Sequence, residues 1–410
     1  MDDISNSFLY NKKSAINHVK SLAFGRKVGT EGEIRTINYI RNNLKEEGIK
    51  FEIEPFLLFS IWRTLKLYSI GITFLIFADS LSSFFMIGFL LFKLMILILL
   101  FFLIKQFIDS TNLSWLTFKL DKGQIFSKHP ISQNLLTTVI AKQDRRKRPV
   151  VILCAHYDSL SVNYSGRSLI STNVSFFFYF IVYYPINYYS NIYFAIKLLN
   201  CLVILVYLIF LLTIKIDNQS KGSIDNASGT AILIELSKIF YNKPLNNLDL
   251  IFLWTGAEEL GLWGSKNYCT NNFKQLDKKY NLNNSYIINI DMVGSYIGLV
   301  DNDKFFKKSI HKESLNNLIT NIAREKEISL RKEKSIIKLS NDYMVFRTFA
   351  KKLGKKLQIC SFNSRTDKKF IHSPKDTPEK CISKNLNDCI EICYFTLKKI
   401  DADLVRTPDE

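Results

Sequence analysis

The chain has 410 residues, 47% of them hydrophobic, with 32 Phe against only 16 Gly and 8 Pro; this composition argues against a loop-rich secreted fold and for helices and long apolar segments. Its 55 Lys plus Arg against 37 Asp plus Glu give a net charge of +18, which suits nucleic acid, an anionic membrane surface or acidic substrates, but no recognition motif for nucleic acid accompanies it, so no nucleic-acid partner is expected. Seven cysteines, an odd number without a CxxC pair or regular spacing, argue against a disulfide framework and for a reducing compartment.

The N-terminal MDDISNSFLYNKK lacks the basic start and apolar stretch of a secretory signal, so none is expected. Residues 30–48 place Ile34, Ile37, Ile40 and Leu44 on one face and end at Gly48, the pattern of an amphipathic helix with a C-terminal stop. FEIEPF then alternates as a strand. Residues 61–78 and 84–104 are apolar, joined by ADSLSS; each run is about 20 residues, enough to cross a hydrocarbon core of roughly 30 Å. Residues 61–106 are therefore expected to form a transmembrane hairpin. LLTTVIAK follows as an alternating strand, and PVVILCAHYDS as a continuous apolar strand of the kind buried on both faces of a parallel sheet.

A second apolar block over residues 171–215, broken at YYPINYYSN, reads as a second transmembrane hairpin. Beyond Asp217 the strand and helix patterns alternate: ASGTAILIELSKIF as helix, LDLIFLWTG, YIINIDMVG and LQICSF as strands, and KNLNDCIEICYFTLKKI as the closing helix. Such alternation implies an α/β fold, a three-layer domain with a mostly parallel mixed central sheet flanked by helices. One α/β domain is thus expected in three parts, 1–60, 107–170 and 216–410, interrupted by the hairpins. Arg63, Lys66, Lys105, Arg167, Lys215 and Lys221 flank the apolar runs on the side of these parts, whereas ADSLSS and PINYYSN carry no Lys or Arg. The positive-inside rule then predicts an integral, multi-pass protein of four membrane helices with its three-part α/β domain, and whatever catalytic site that domain carries, in the cytoplasm.

Acids and histidines recur at the ends of these strands: His156 and Asp158 in HYDS, Asp225 in GSIDNASGT, Glu258 and Glu259 in WTGAEELGLWGS, Asp291 in NIDMVGS and His372 in IHSPKDTPEKC. In open α/β sheets ligands bind at the carboxyl ends of strands. Two His and three carboxylates suit a pair of divalent metals, zinc first, since imidazole plus carboxylate matches it. Two metals need a shared ligand, for which an Asp between them is economical. The adjacent Glu258 and Glu259 cannot easily point at one metal together, so one ligates while its neighbour takes a proton from the attacking water. Asp158, two residues beyond His156, is placed to accept the other imidazole N–H and fix its tautomer.

The ordered set HYDS, DNASG, GAEELGLWGS, DMVG and HSPKDTPE resembles the zinc exopeptidase superfamily of bacterial leucyl aminopeptidases, glutamate carboxypeptidases and glutaminyl cyclases. That resemblance covers residues 25–60, 130–165 and 216–400. It implies His156, Glu259, Asp291 and His372 as zinc ligands, Asp225 as the bridging carboxylate between two zinc ions per chain, and Glu258 as general base. It also implies that Asp158 orients His156 and that Asp376 supports His372 or its loop. NDYMVF resembles the family's Ser-Asp-His-x-x-Phe; it keeps Asp342 and Phe346 but has Tyr343 at the His position. Soluble members join the His-x-Asp loop to the bridging Asp by a short connection, whereas here the whole second apolar block intervenes.

The expected function is a membrane-anchored dinuclear zinc aminopeptidase acting on peptides, with the lipid bilayer as its other partner and no oligomeric state set by the sequence. A carboxypeptidase shares the metal cage. A glutaminyl cyclase is disfavoured, on the same resemblance, by Asn226 after Asp225 and by the compact ELGLWGS. A catalytically silent receptor or scaffold would be expected to have lost ligands.

Overall fold

The computed structural model of the chain describes residues 11, 13–57, 69–74, 76–77, 131–144, 147–164, 166–189, 194–303, 314–335 and 341–406. The chain divides into two units: one of Met1–Leu58, Pro130–Ser161 and Asp217–Glu410, the other of Phe59–His129 and Val162–Ile216.

In the first unit, α1 (Ser14–Ser21) and α2 (Glu31–Glu46) precede β1 (Glu52–Leu57), β2 (Ile131–Val139) and β3 (Val150–His156). The short strands β4 (Ser161–Val162) and β5 (Ile216–Asp217) pair with one another where the chain leaves this unit and returns to it. In the second unit are α3 (Gly166–Tyr189) and α4 (Phe194–Thr213). The first unit then continues with α5 (Ser228–Asn242), β6 (Asp249–Thr255), α6 (Trp263–Lys279), β7 (Tyr286–Ile290), β8 (Ile297–Asp303), α7 (Ser314–Glu325), β9 (Leu330–Ser335), α8 (Asp342–Lys352), β10 (Gln358–Phe362) and α9 (Ser383–Arg406).

Eight of these strands form one sheet in the order β1-β2-β6-β3-β7-β10-β8-β9. Its centre, β6-β3-β7-β10, is parallel, while β1/β2, β2/β6 and β8/β10 pair antiparallel. Every residue of β3 and β6 is buried, as a strand covered on both faces requires. Alternation assigns the side chains to two cores. Val151, Leu153 and Ala155 of β3, with Leu250, Phe252 and Trp254 of β6, join the cluster that includes Val19, Ile40, Ile232 and Leu386 from α1, α2, α5 and α9. Val150, Ile152 and Cys154, with Ile251 and Leu253, join the other, which includes Phe273 of α6 and Phe346 of α8. A sheet with an apolar face on each side, each covered by helices, is the three-layer α/β arrangement expected.

Two local readings change. Ile37, Ile40 and Leu44 of α2 are buried, but Ile34 is 61% exposed. Glu33 turns inward instead, where its carboxylate accepts Ser132 Oγ–H (2.5 Å) and Gly29 N–H (2.7 Å). In addition α1, α6, α7, α8, β8 and β9 are not among the expected elements; α7 does carry a helical row in Leu315, Leu318, Ile319 and Ile322, whereas α6 interleaves Lys and Asn with its buried Tyr268, Phe273 and Leu276.

The transmembrane expectation falls on the second unit. Residues 61–106 lie outside the described residues apart from helical stretches at 69–74 and 76–77. Residues 171–215 form the helix pair α3–α4, joined by Tyr207 Oη–H to Asn173 Oδ1 (2.6 Å), Tyr179 Oη–H to Asn200 Oδ1 (2.6 Å) and the stacked rings of Phe176 and Tyr207. Among the described residues no helix is long and apolar enough to cross a membrane, so neither transmembrane hairpin finds support in the structure. The pair does carry exposed apolar side chains, among them Phe177, Phe178, Leu199, Val206 and Ile209.

Candidate metal centre and active site

The four central parallel strands end on the same side, and the chemistry-bearing residues gather there. His156 is the last residue of β3, Glu258 and Glu259 follow β6, Asp291 follows β7 and Asn363 follows β10. Asp225 lies in the irregular turn Ser223–Ala227 ahead of α5, and His372 in the loop before α9. Three non-glycine residues that carry or directly adjoin these groups are in the left-handed region: Ala257 (φ 55°), Met292 (φ 79°) and His372 (φ 55°). Such conformations cost of order 1–3 kcal/mol each and persist where surrounding contacts dictate them. Here they flank or carry the acids and the imidazole that converge on one pocket.

Asp225 stands between the two histidines. Its Oδ1 is 3.0 Å from His156 Nε2 and its Oδ2 is 3.4 Å from His372 Nε2. Asp291 Oδ1 lies 3.6 Å from the same His156 nitrogen, and Glu259 Oε2 lies 2.9 Å from that of His372. Two donor sets result, His156–Asp225–Asp291 and Asp225–Glu259–His372, each with its ligand atoms within 4.8 Å of one another. Asp225 belongs to both. The imidazole and carboxylate donors match zinc.

The supporting contacts differ in detail from those expected. The Asp158 carboxylate accepts the backbone N–H of Glu258 (3.1 Å) and of Glu259 (3.2 Å), so it fixes the loop that carries the Glu pair. His156 Nδ1 is closest to the Asp158 carbonyl oxygen, at 3.2 Å, with the carboxylate at 3.5 Å. Asp376 accepts the N–H groups of Ile224 (2.6 Å) and Asp225 (3.2 Å), which places its support under the shared carboxylate. Asn226 ties that turn to the Asp291 loop: its Nδ2–H donates to Ile290 O (2.8 Å), and its Oδ1 accepts Gly229 N–H (2.9 Å) and Met292 N–H (3.3 Å). A Cβ on Gly229 would stand 2.3 Å from Ile290 O, so only glycine lets α5 approach β7 this closely. Tyr343 is buried among the residues of α6 and α8 and does not line the pocket.

Three participants have no signature of their own in the sequence. Asn341, just ahead of the Asp342 that was singled out, donates from Nδ2 to Asp291 Oδ2 at 3.0 Å. Arg26 is fully buried, and its guanidinium donates to the carbonyls of Leu22, Tyr157, Lys221 and Gly222. Burial lowers its pKa to about 10 against the opposing pull of Asp376 and Asp158, so it remains a cation beneath the acidic cluster. Lys368 lines the pocket from a short 3-10 turn.

Burial raises the Glu258 carboxyl well above its ordinary range, and Glu259 and Asp291 add to the rise while His156 opposes it. Burial disfavours charge on Asp225 too, yet its bonds to both histidines hold its pKa far below the usual value. Burial likewise disfavours the cationic forms of His156 and His372, but the surrounding carboxylates outweigh it and raise both. The pocket encloses about 110 Å³.

Residues 138–396 match the model of peptidase family M28. The chain belongs to that family. The family resemblance read from the motifs is thereby upheld, and the M28 match spans all seven acids and imidazoles of the site. Among curated relatives, the chain is 36% identical over 76 residues to aminopeptidase YwaD of Bacillus subtilis (strain 168), covering 18% of this chain and 16% of that protein. It is 35% identical over 80 residues to a probable zinc metalloprotease of Pyrenophora tritici-repentis (strain Pt-1C-BFP), covering 19% and 17%. The matched stretch thus spans under a fifth of these relatives. In fold the chain is similar to an aminopeptidase from Aneurinibacillus sp. strain AM-1 (TM-score 0.56, 14% identity, 95% of this chain and 94% of that one). It is also similar to a glutaminyl cyclase from an Acidobacteriales bacterium (TM-score 0.53, 14% identity, 97% and 98%).

Proposed function

We propose that this M28 protein is an aminopeptidase with two zinc ions per chain, removing N-terminal residues from peptides. The observation that carries the reading is the shared carboxylate: each oxygen of Asp225 faces a different histidine, and each histidine has a second carboxylate beside it. Zinc held by these donors supplies Lewis acidity, polarising the scissile carbonyl and acidifying water. Glu258 takes the proton of the attacking water and returns it to the leaving amine, a role that favours a carboxyl whose pKa has been drawn upward. Asp158 holds Glu258 and Glu259 in register through their amides. Asn341 donates to the carboxylate of Asp291, and Asp376 holds the backbone of Asp225 by accepting its N–H.

The test is metal analysis of active protein with identification of the released product. Two zinc equivalents and a free N-terminal residue are expected. One equivalent, with cyclisation of N-terminal glutamine, would establish the cyclase reading instead, and release of a C-terminal residue the carboxypeptidase one.

We further propose that the α3–α4 pair and the apolar residues 61–106 anchor the protein to a lipid bilayer, with the peptidase unit in the cytoplasm. The support is the exposed apolar row on α3 and α4 together with the basic residues that flank the apolar runs. In a background without native cysteines, Ser82→Cys should react with an impermeant thiol reagent on intact cells and Glu46→Cys only after lysis. The reverse labelling would place the peptidase on the other side, and recovery of the protein in the fraction without membranes would remove the anchor.

A further inference from the structure

The pocket is lined by four carboxylates, Asp225, Glu258, Glu259 and Asp291, and by one primary amine, that of Lys368. The carboxylates are committed: Asp225 and Glu259 to the histidines, Asp291 to Asn341 and His156, Glu258 to the proton of the attacking water. Lys368 is exposed and makes no ion pair within 4 Å among the described residues, although acids line the same cavity. Its place is set by its neighbour. Asp367, buried at 2% exposure, accepts Ser295 N–H (2.8 Å) and Ser295 Oγ–H (2.7 Å), which pins the turn Arg365–Lys369 to the loop after β7. Gly294 permits this contact, since a Cβ there would stand 2.4 Å from Asp367 Oδ2. The next residue points its charge elsewhere: Lys369 lies over the Phe370 ring, 4.9 Å from its centroid.

A lysine at the wall of a reaction pocket, with the charges of Asp291, Asp225 and Glu258 felt across the cavity but no ion pair within 4 Å, is available to an anion of the substrate. We propose that Lys368 is a specificity-determining residue that holds a substrate carboxylate close to the scissile bond. Two sources supply that chemistry, the free C-terminus of a very short peptide and an acidic side chain next to the cleaved bond. Either would be drawn toward a chain of net charge +18. The inference rests on the peptidase reading, and it narrows the substrates from peptides in general to dipeptide-sized or acidic ones.

The test uses the zinc-loaded full chain with four substrates: Leu-Gly, Leu-Gly-amide, Leu-Glu-amide and Leu-Gln-amide. The wild type should favour a carboxylate-bearing member over its neutral counterpart by about tenfold in kcat/KM, the scale of one partly exposed charge-assisted contact. The difference should appear in KM, because the contact is made equally in the ground and transition states. Lys368→Met should abolish the preference with kcat retained, and Lys368→Arg should keep it. Leu-Gly over its amide identifies the C-terminus as the anion, and Leu-Glu-amide over Leu-Gln-amide identifies the side chain. Calorimetric binding of the same four compounds to Glu258→Ala protein should rank them in the same order without turnover. Equal handling of all four, or a preference that survives Lys368→Met, would overturn the role of Lys368 and leave the peptidase reading intact. Absence of both binding and hydrolysis by protein that holds its zinc would remove the peptidase reading and this inference together.

Discussion

Asp376 accepts the backbone N–H of Asp225 at 3.2 Å, so the carboxylate shared by both donor sets is itself held from below by a second carboxylate 151 positions later in the chain. Ile224 donates to the other oxygen of Asp376 at 2.6 Å. Asp376→Ala leaves two buried N–H groups without an acceptor, at about 1–3 kcal/mol each. Because Asp225 serves both sets, both metals should weaken together. His372→Ala should weaken only the set to which it belongs. Metal stoichiometry by equilibrium dialysis separates the two variants, and an Asp376→Ala protein that keeps both zinc ions at wild-type affinity would refute the argument.

Glu258 and Glu259 are adjacent but should fail differently. Glu258→Ala should lose about 10²- to 10⁴-fold in turnover while retaining metal, as expected for removal of a general base. Glu259→Ala should lose the metal on the His372 side. Loss of metal from the Glu258 variant would exchange the two roles.

Asp158 acts on this pair through the backbone. Asp158→Asn keeps one acceptor oxygen but cannot serve both amides equally, so kcat should fall by about 10- to 100-fold with zinc still bound, the range for partners that orient a metal site. An unchanged kcat would show that the loop holds its geometry without the carboxylate.

Away from the pocket, Glu235 on α5 accepts Ser14 Oγ–H and pairs with His18 Nε2, both at 2.7 Å. Burial alone would raise its pKa, but the bonds from His18 and Ser14 hold it below the ordinary carboxylate range. A depressed acid contributes stability that is complete above its unfolded pKa and is lost as pH falls through its folded one. Urea unfolding between pH 7 and pH 3 should therefore show α1 loosening in acid, and Glu235→Gln should flatten that part of the profile. A variant with the same acid slope as wild type would place the sensitivity elsewhere.

Removal of zinc by a chelator should abolish hydrolysis and lower the thermal midpoint, because metal that binds only the folded chain stabilises it and the four carboxylates of the pocket then lose the divalent charge that offsets their mutual repulsion. Re-addition should restore both. A midpoint indifferent to metal would mean that the pocket is held open by its second layer of hydrogen bonds alone.

How far the chain could be read depended on whether a residue's role is written in its neighbours. The β3 and β6 strands were legible because continuous apolar runs admit few other environments, and six of the seven site residues because each lies where such a strand stops or a helix begins; His372, in the middle of the loop between β10 and α9, was legible only through the HSPKDTPE motif around it. Arg26 was not. Its partners are carbonyls contributed by three separated stretches of backbone, and carbonyls leave no trace in side-chain pattern. Asn341 and Lys368 act through tertiary neighbours alone. Asp158 and Asp376 were noticed, but sequence spacing favours the nearest histidine as partner, whereas folding gives their oxygens to amides of more distant loops. Ile34 shows the same limit in the core, where a satisfied Glu33 displaced it from the expected face.

One consequence concerns how such a chain can be cut and rejoined. Leu57, the last residue of β1, stands opposite Ile131, the first of β2, and the Ser161 hydroxyl donates to the Asp217 carboxylate. At both places the peptidase unit is interrupted between residues that are already neighbours, so two tight turns could replace everything in between without stretching a strand or moving a ligand. The fold is in this sense a socket with two ports. Because the ends of each gap already meet, a protein engineer could exchange the present segments for short linkers, or transplant them onto another core with the same pair of gaps.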